Sequence, residues 1–235
     1  MKFQTPYNAS ISSSSSLKKP ENFISSKIKF ATNQDNYHKV ISITKIPKNE
    51  IILVELPCAT LYGEPDIDRG LQTLQKYLLL GAQNHIGITT LYPRDKDIYT
   101  FPRTTLIKQI HKIIKNIPDK HHKLRDFFNQ YTKTEIEFYY AKYIFNAFEG
   151  FEYGPLTLPY LAKFNHSCNS NIIFNFDKTN GTMIVKTTKN IQPGEELFNS
   201  YLFNKTIPNH KEYLYEHYGF TSDCNCNYNC KMILE

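Results

Sequence analysis

Cys224, Cys226 and Cys230 stand within seven residues near the end of a 235-residue chain, in "DCNCNYNC". Three thiolates at that spacing suit a tetrahedral zinc ion better than a packed core, and they leave one of four positions to fill. Cys58, Cys168 or a histidine are the candidates for the fourth ligand. Cys168 belongs to a second unusual stretch, "KFNHSCNSN", where Asn165, His166, Ser167, Cys168, Asn169, Ser170 and Asn171 crowd together between apolar "LTLPYLA" and strand-like "IIFNF". Residues of this kind are costly to bury alone, so the stretch must hydrogen-bond within the fold, bind something, or sit in solvent. If Cys168 closes a zinc site, metal binding ties the tail down onto "NHSC" as a structural clamp. Cys58, in "VELPCATL", then reads as a small buried residue. A third stretch, "IQPGEELFNSY", opens with a Pro-Gly turn and ends at Tyr201, one of 17 tyrosines, where packing is a commoner role than chemistry.

Several elements have to position these groups. Residues 1–22 hold a Ser tract with no hydrophobic period and read as a flexible leader. From Lys27 to Tyr62, "KIKFAT", "KVISIT" and "EIILVEL" with the turn "IPKNE" predict a small β-meander. Residues 68–150 are mostly helical in pattern. Leu106, Ile110, Ile113 and Ile117 recur at helical spacing before Pro118, and a Thr132–Glu135 capping box precedes a face of Ile136, Tyr140, Tyr143, Ile144 and Ala147. Asn180-Gly181 between apolar runs predicts a tight hairpin, and "NHKEYLYEHYGF" a last helix capped at Asn209 and stopped by Gly219. The class is α+β, with β pieces far apart in sequence.

With 40% hydrophobic residues the chain can build one substantial core, or one core with a small satellite. A formal charge of +6, spread through mixed-sign stretches such as "TKTEIEFYYAKY", argues against nucleic acid as a direct ligand. No run approaches the ~18 apolar residues of a membrane span, and the first 20 residues lack a signal-peptide core. The expectation is an intracellular monomer, in cytoplasm or nucleus, or in a host cell if the chain is viral. There its five cysteines are thiols or metal ligands rather than disulfides.

Taken in order, "NHSCNSN", "IQPGEELFNSY", "YGF" and the C-x-C-x3-C tail resemble the motifs of SET-domain protein lysine methyltransferases with a cysteine-rich post-SET segment. "YHKVISITKIPKNEIILVE" is similar to the first SET strands, and "FNAFEGF" resembles the segment before NHSC in the SMYD branch. The resemblance implies a SET-type β-fold over residues 23–202 with the helical insert at about 68–150, and a post-SET helix and zinc segment over 203–235. It also implies that the NHSC strand threads beside the chain before Tyr201 in a knot-like crossing. By the same resemblance Tyr201 is catalytic, and Asn146, Asn165, His166, Tyr201 and Phe220 contact S-adenosylmethionine. Phe148 and Tyr218 line the channel for a lysine on a protein or peptide substrate, and Cys168, Cys224, Cys226 and Cys230 hold one zinc ion.

The chain departs from that pattern in three places. Tyr37, His38 and Lys39 stand where the family carries a Gly-x-Gly turn against the cofactor, and Ser170 replaces a Pro. The MYND module and long helical C-terminal domain of the SMYD branch have no counterpart in these residues. Two other readings compete: a catalytically inactive SET module that binds a peptide or protein, and a zinc-stabilised nucleic-acid-binding protein whose affinity falls steeply with salt.

Overall fold

The computed structural model describes residues 21–32, 38–58, 69–93, 104–149, 155–202 and 209–220. Residues 1–20, Tyr37, Cys224, Cys226 and Cys230 lie outside the described residues.

The N-terminal β-branched runs form β1 (Phe23–Ile24), β2 (Ile28–Thr32), β3 (His38–Ser42) and β4 (Ile51–Glu55), but not one continuous meander. β2 and β3 pair antiparallel from Ile28↔Ser42 to Thr32↔His38. β4 turns away into an antiparallel sheet of order β1-β4-β9-β8, with β8 at Ile172–Asp177 and β9 at Thr182–Thr187. Neighbouring residues Ile52 and Leu53 of β4 are both fully buried, which a central strand satisfies and a hairpin edge does not. The β8–β9 connection is longer than an Asn-Gly two-residue turn. Asp177 pairs with Thr182 across it, the Asp177 carboxylate accepts from the Thr179 amide at 2.9 Å, and Gly181 takes φ 65°. The aspartate organises a four-residue turn in which Gly181 supplies the left-handed position.

Between β4 and the second half of the chain lie α1 (Arg69–Ala82), α2 (Ile86–Thr89), α3 (Thr104–Lys115), α4 (His122–Phe128) and α5 (Lys133–Asn146). On α3 the buried residues are Ile107, Ile110 and Ile114, with Ile117 just beyond, while Leu106 and Ile113 are exposed. Two apolar stripes overlap in that sequence at equally good spacing. The helix turns the isoleucine-only stripe inward, and spacing alone does not distinguish the two. α5 starts at the expected Thr132–Glu135 capping box, yet it buries Ile136, Glu137, Ala141, Lys142 and Asn146, and Ala147 already belongs to a strand. Because α1 and α3 both pack on it, α5 has no single wet face, and its polar residues are accommodated by partners. The Glu137 carboxylate takes His111 Nε2 at 2.8 Å, and the Lys142 ammonium donates to the Leu91 carbonyl.

β5 (Ala147–Glu149) pairs antiparallel with β6 (Pro155–Thr157) and returns the chain to the sheets. A 3-10 helix, Leu161–Lys163, leads into β7 (Asn165–His166), and the remaining elements are β10 (Phe198–Asn199) and α6 (His210–Tyr218). β7 and β10 run parallel, Phe198 beside Asn165 and Asn199 beside His166. Just before β10, Leu197 donates to Val40 O at 2.8 Å and Ser42 to Glu195 O at 2.9 Å, so one segment is held by β3 and then by β7. The NHSC strand thus lies beside the chain before Tyr201, as expected.

The apolar interior divides into two large clusters rather than one core with a satellite. One lies among the sheets, around Ile52, Leu53, Phe164, Val185 and Leu197, and the other lies inside the helices, around Leu74, Leu78, Ile110 and Phe128. Among the described residues no helix is long and apolar enough to cross a membrane.

Candidate active site

The polar stretch finds its partners inside the fold. Asn171, 2% exposed, accepts from the Phe198 amide at 2.7 Å and donates to the Glu196 carbonyl at 2.8 Å, clamping the segment that enters β10 to the start of β8. Asn165 Nδ2 donates to His38 O at 2.8 Å and to a Glu196 carboxylate oxygen at 2.7 Å, tying β7 to β3 and to that same segment. Ser167 donates its amide to Asn199 O at 2.9 Å. Asn165, Ser167 and Asn171 therefore fasten these segments together, and Asn171, the buried residue of the seven, is satisfied at both ends of its amide.

His166 joins this fastening to Tyr201. Its Nδ1 accepts the Tyr201 amide at 3.0 Å, which assigns the ring proton to Nε2, and Nε2 faces Cys168 Sγ at 3.4 Å. Burial, with the nearby His210 charge adding to it, pulls the imidazole down to about 4, so the ring is neutral at physiological pH. The Tyr201 hydroxyl donates to the main-chain carbonyl of Phe164 at 2.9 Å. Backbone and side chain of Tyr201 are thus each fixed by the segment 164–166.

Aromatic rings close around this tyrosine. Tyr218, at the end of α6, lies 4.8 Å from Tyr201 between ring centroids, Phe220 lies 6.1 Å away, and His166 sits 5.3 Å from Tyr201 and 6.0 Å from Phe220. α6 delivers them because the Asn209 side chain accepts the Glu212 amide at 3.3 Å to start the helix, and Gly219 at φ 76° ends it. A wall of π faces beside a neutral imidazole presents no positive charge and suits a cationic ligand.

The other expected site residues have contacts of their own. Asn146, at the end of α5 and 8% exposed, donates through Nδ2 to the carbonyls of Tyr92 and Lys142. Phe148 packs edge-on against Phe174 at 5.6 Å, beside the sheet core. Cys168 is half-buried with its sulfur beside His166 Nε2, and its three expected co-ligands lie outside the described residues. Among the described residues no group of three metal-ligating side chains occurs. The donor chemistry around Cys168 still fits a thiolate, since a ring N–H is directed at its sulfur. Sequence reasoning named Asn171 within the polar stretch without its partners, and missed the Phe164 carbonyl and Glu196. A main-chain acceptor carries no sequence signal, and the two side chains matter only where these segments meet.

Residues 37–202 match the SET domain. A SET domain-containing protein of Acanthamoeba polyphaga mimivirus is 33% identical over 190 residues, 80% of this chain and 71% of its own length. Among solved structures, the SET domain of LSMT bound to lysine and AdoHcy aligns at TM-score 0.58 and 13% identity, over 83% of this chain and 53% of that one. Rubisco LSMT bound to AdoMet aligns at TM-score 0.58 and 14% identity, over 84% and 52%. The chain spans about half the length of those structures, and at such identity the likeness is one of fold. With its family match running from β3 through Tyr201, and with a relative 33% identical over 190 residues, this chain belongs to the SET-domain family.

Proposed function

We propose that this chain is a protein lysine methyltransferase that uses S-adenosylmethionine. The observation that carries the reading is the double fixing of Tyr201, hydroxyl on the Phe164 carbonyl and amide on His166, where β7 and β10 pair. S-adenosylmethionine supplies the methyl group as a sulfonium, and displacement by a lysine nitrogen joins carbon to nitrogen while sulfur keeps the electrons of the broken bond.

The chain's own residues have three tasks in that reaction. Alignment of nitrogen, carbon and sulfur comes first, and a hydroxyl held by a rigid main-chain carbonyl supplies a fixed dipole at Tyr201. The second is a deprotonated amine, favoured where Tyr218 and Tyr201 exclude water. The third is tolerance of positive charge, met by the rings of Tyr201, Tyr218 and Phe220 and by a His166 that stays neutral. Asn165 and His166 would hold the cofactor, with Phe220 against its adenine; Asn146 and Phe148 are assigned to the cofactor and lysine sides by the motif resemblance alone. Cys168, Cys224, Cys226 and Cys230 would hold one structural zinc ion, drawing the tail against the NHSC strand. The substrate class is a lysine-bearing protein or peptide, as bound lysine and monomethyllysine in the LSMT structures suggest by analogy.

A catalytically inactive SET module that binds a peptide is the second reading. It is favoured by His38 and Lys39 in place of the glycine turn, and by the use of Asn165 Nδ2 on the chain's own acceptors. Labelled methyl transfer from S-adenosylmethionine to an array of lysine peptides separates the two. Transfer that falls about 100-fold or more in Tyr201→Phe supports the enzyme. Peptide capture with no transfer supports the inactive module.

A further inference from the structure

Glu55, the last residue of β4, is a carboxylate only 1% exposed, yet it faces main chain rather than a bonded cation. Its two oxygens accept the amides of Tyr160 at 2.7 Å and Leu161 at 2.8 Å, where the 3-10 helix begins. That helix closes through the Phe164 amide on the Leu161 carbonyl at 3.1 Å, and the Phe164 carbonyl receives the Tyr201 hydroxyl at 2.9 Å. Three successive hydrogen bonds therefore run from Glu55 through Leu161 and Phe164 to Tyr201.

We propose that Glu55 is a positioning residue for Tyr201: its carboxylate sets the turn whose last carbonyl aims the tyrosine hydroxyl. The catalytic consequence rests on the methyltransferase reading, whereas the relay itself does not. Two N–H donors on two carboxylate oxygens is a geometry that a neutral amide cannot copy, because one end of an amide is itself a donor. The groups facing Glu55 are Lys163 on the 3-10 helix and Cys58 beyond β4, with Tyr77 of α1 behind Cys58. Burial holds the Cys58 thiol up at about 12 and raises the Tyr77 phenol too, so both stay protonated at neutral pH. Burial also lifts the Glu55 carboxyl to about 7, against the pull of the two amides and of Lys163. The relay should consequently tighten as pH rises through neutrality.

The test uses full-length protein carrying 13Cζ-tyrosine, with the Tyr201 resonance assigned by its loss in Tyr201→Phe. The expected result is a Tyr201 resonance displaced in Glu55→Gln, and titrating in wild type with a midpoint near 7 that the variant lacks, while exposed Tyr215 stays in place. In the methyl-transfer assay Glu55→Gln should lower kcat about 10-fold and leave KM for cofactor and peptide within about 2-fold, as for a group that acts through alignment. If the variant does not fold, the wild-type titration alone decides. A Tyr201 resonance unmoved by the substitution, or by pH in wild type, overturns the proposal. Failure to bind S-adenosylhomocysteine overturns the methyltransferase reading instead and leaves the resonance test of the relay intact.

Discussion

Removing the hydroxyl of Tyr201 leaves its ring among Tyr218, Phe220 and His166 and deletes the donor to Phe164. Tyr201→Phe should therefore keep S-adenosylhomocysteine affinity within about 3-fold while transfer drops about 100-fold or more, a split that calorimetry and a methyl-transfer assay read directly. Glu55 yields a different prediction, about stability. Its carboxyl is raised from 4.5 to about 7 in the folded chain, so between those values the fold holds a proton that the unfolded chain has released. The Glu55 contribution to stability must fall as pH rises through that window, by about 3 kcal/mol once the group is fully ionised. His166, held near 4, contributes with the opposite sign over the same range in both proteins, so urea denaturation at about pH 5 and about pH 8 should show the Glu55 effect as the difference: relative to Glu55→Gln, wild type is less stable at about pH 8 than at about pH 5. Positioning and stability thus pull in opposite directions at one carboxylate, as expected of a group retained for a site.

At the scale of elements, the pairing of β7 with β10 and the last helix each depend on one residue of unusual conformation or burial. Asn171 uses both ends of its amide between β8 and the segment that enters β10. Asn171→Ala leaves the Phe198 amide and the Glu196 carbonyl without partners, and should cost about 3 kcal/mol in denaturant unfolding. Gly219 ends α6 at φ 76°, where a side chain is strained by about 1–2 kcal/mol. Gly219→Ala should lower thermal stability and slacken the seat of Tyr218 and Phe220, visible as weaker S-adenosylhomocysteine binding with Tyr201 untouched. Both ends of α6 and the start of α5 were legible in the sequence, because caps act through residues three or four apart. The inward stripe of α3 and the fate of β4 were not. Each was decided by what packs against the element, and the competing patterns in "TTLIKQIHKIIK" and "EIILVEL" were equally apolar.

The two large apolar clusters are joined by a small one, Tyr77, Ile88 and Leu91 with Cys58 and Ala162 packed against them, and by polar contacts beside it. Thr157 of β6 donates to the Tyr77 hydroxyl of α1 at 3.0 Å, and Lys163 reaches Thr90 of the helical insert at 3.3 Å. Helices and sheets are in this way locked on either side of the 3-10 helix that leads to Phe164. The order of motifs made the family and the pairing of β7 with β10 legible from sequence. The main-chain acceptor for Tyr201 and the carboxylate behind it were illegible, because neither lies within a motif. A cofactor pocket beside Tyr201 is read by calorimetric titration of the protein with S-adenosylhomocysteine. The account predicts one site per chain in wild type, lost in Asn165→Ala while the variant stays folded. A folded wild-type protein that takes up no S-adenosylhomocysteine would contradict it.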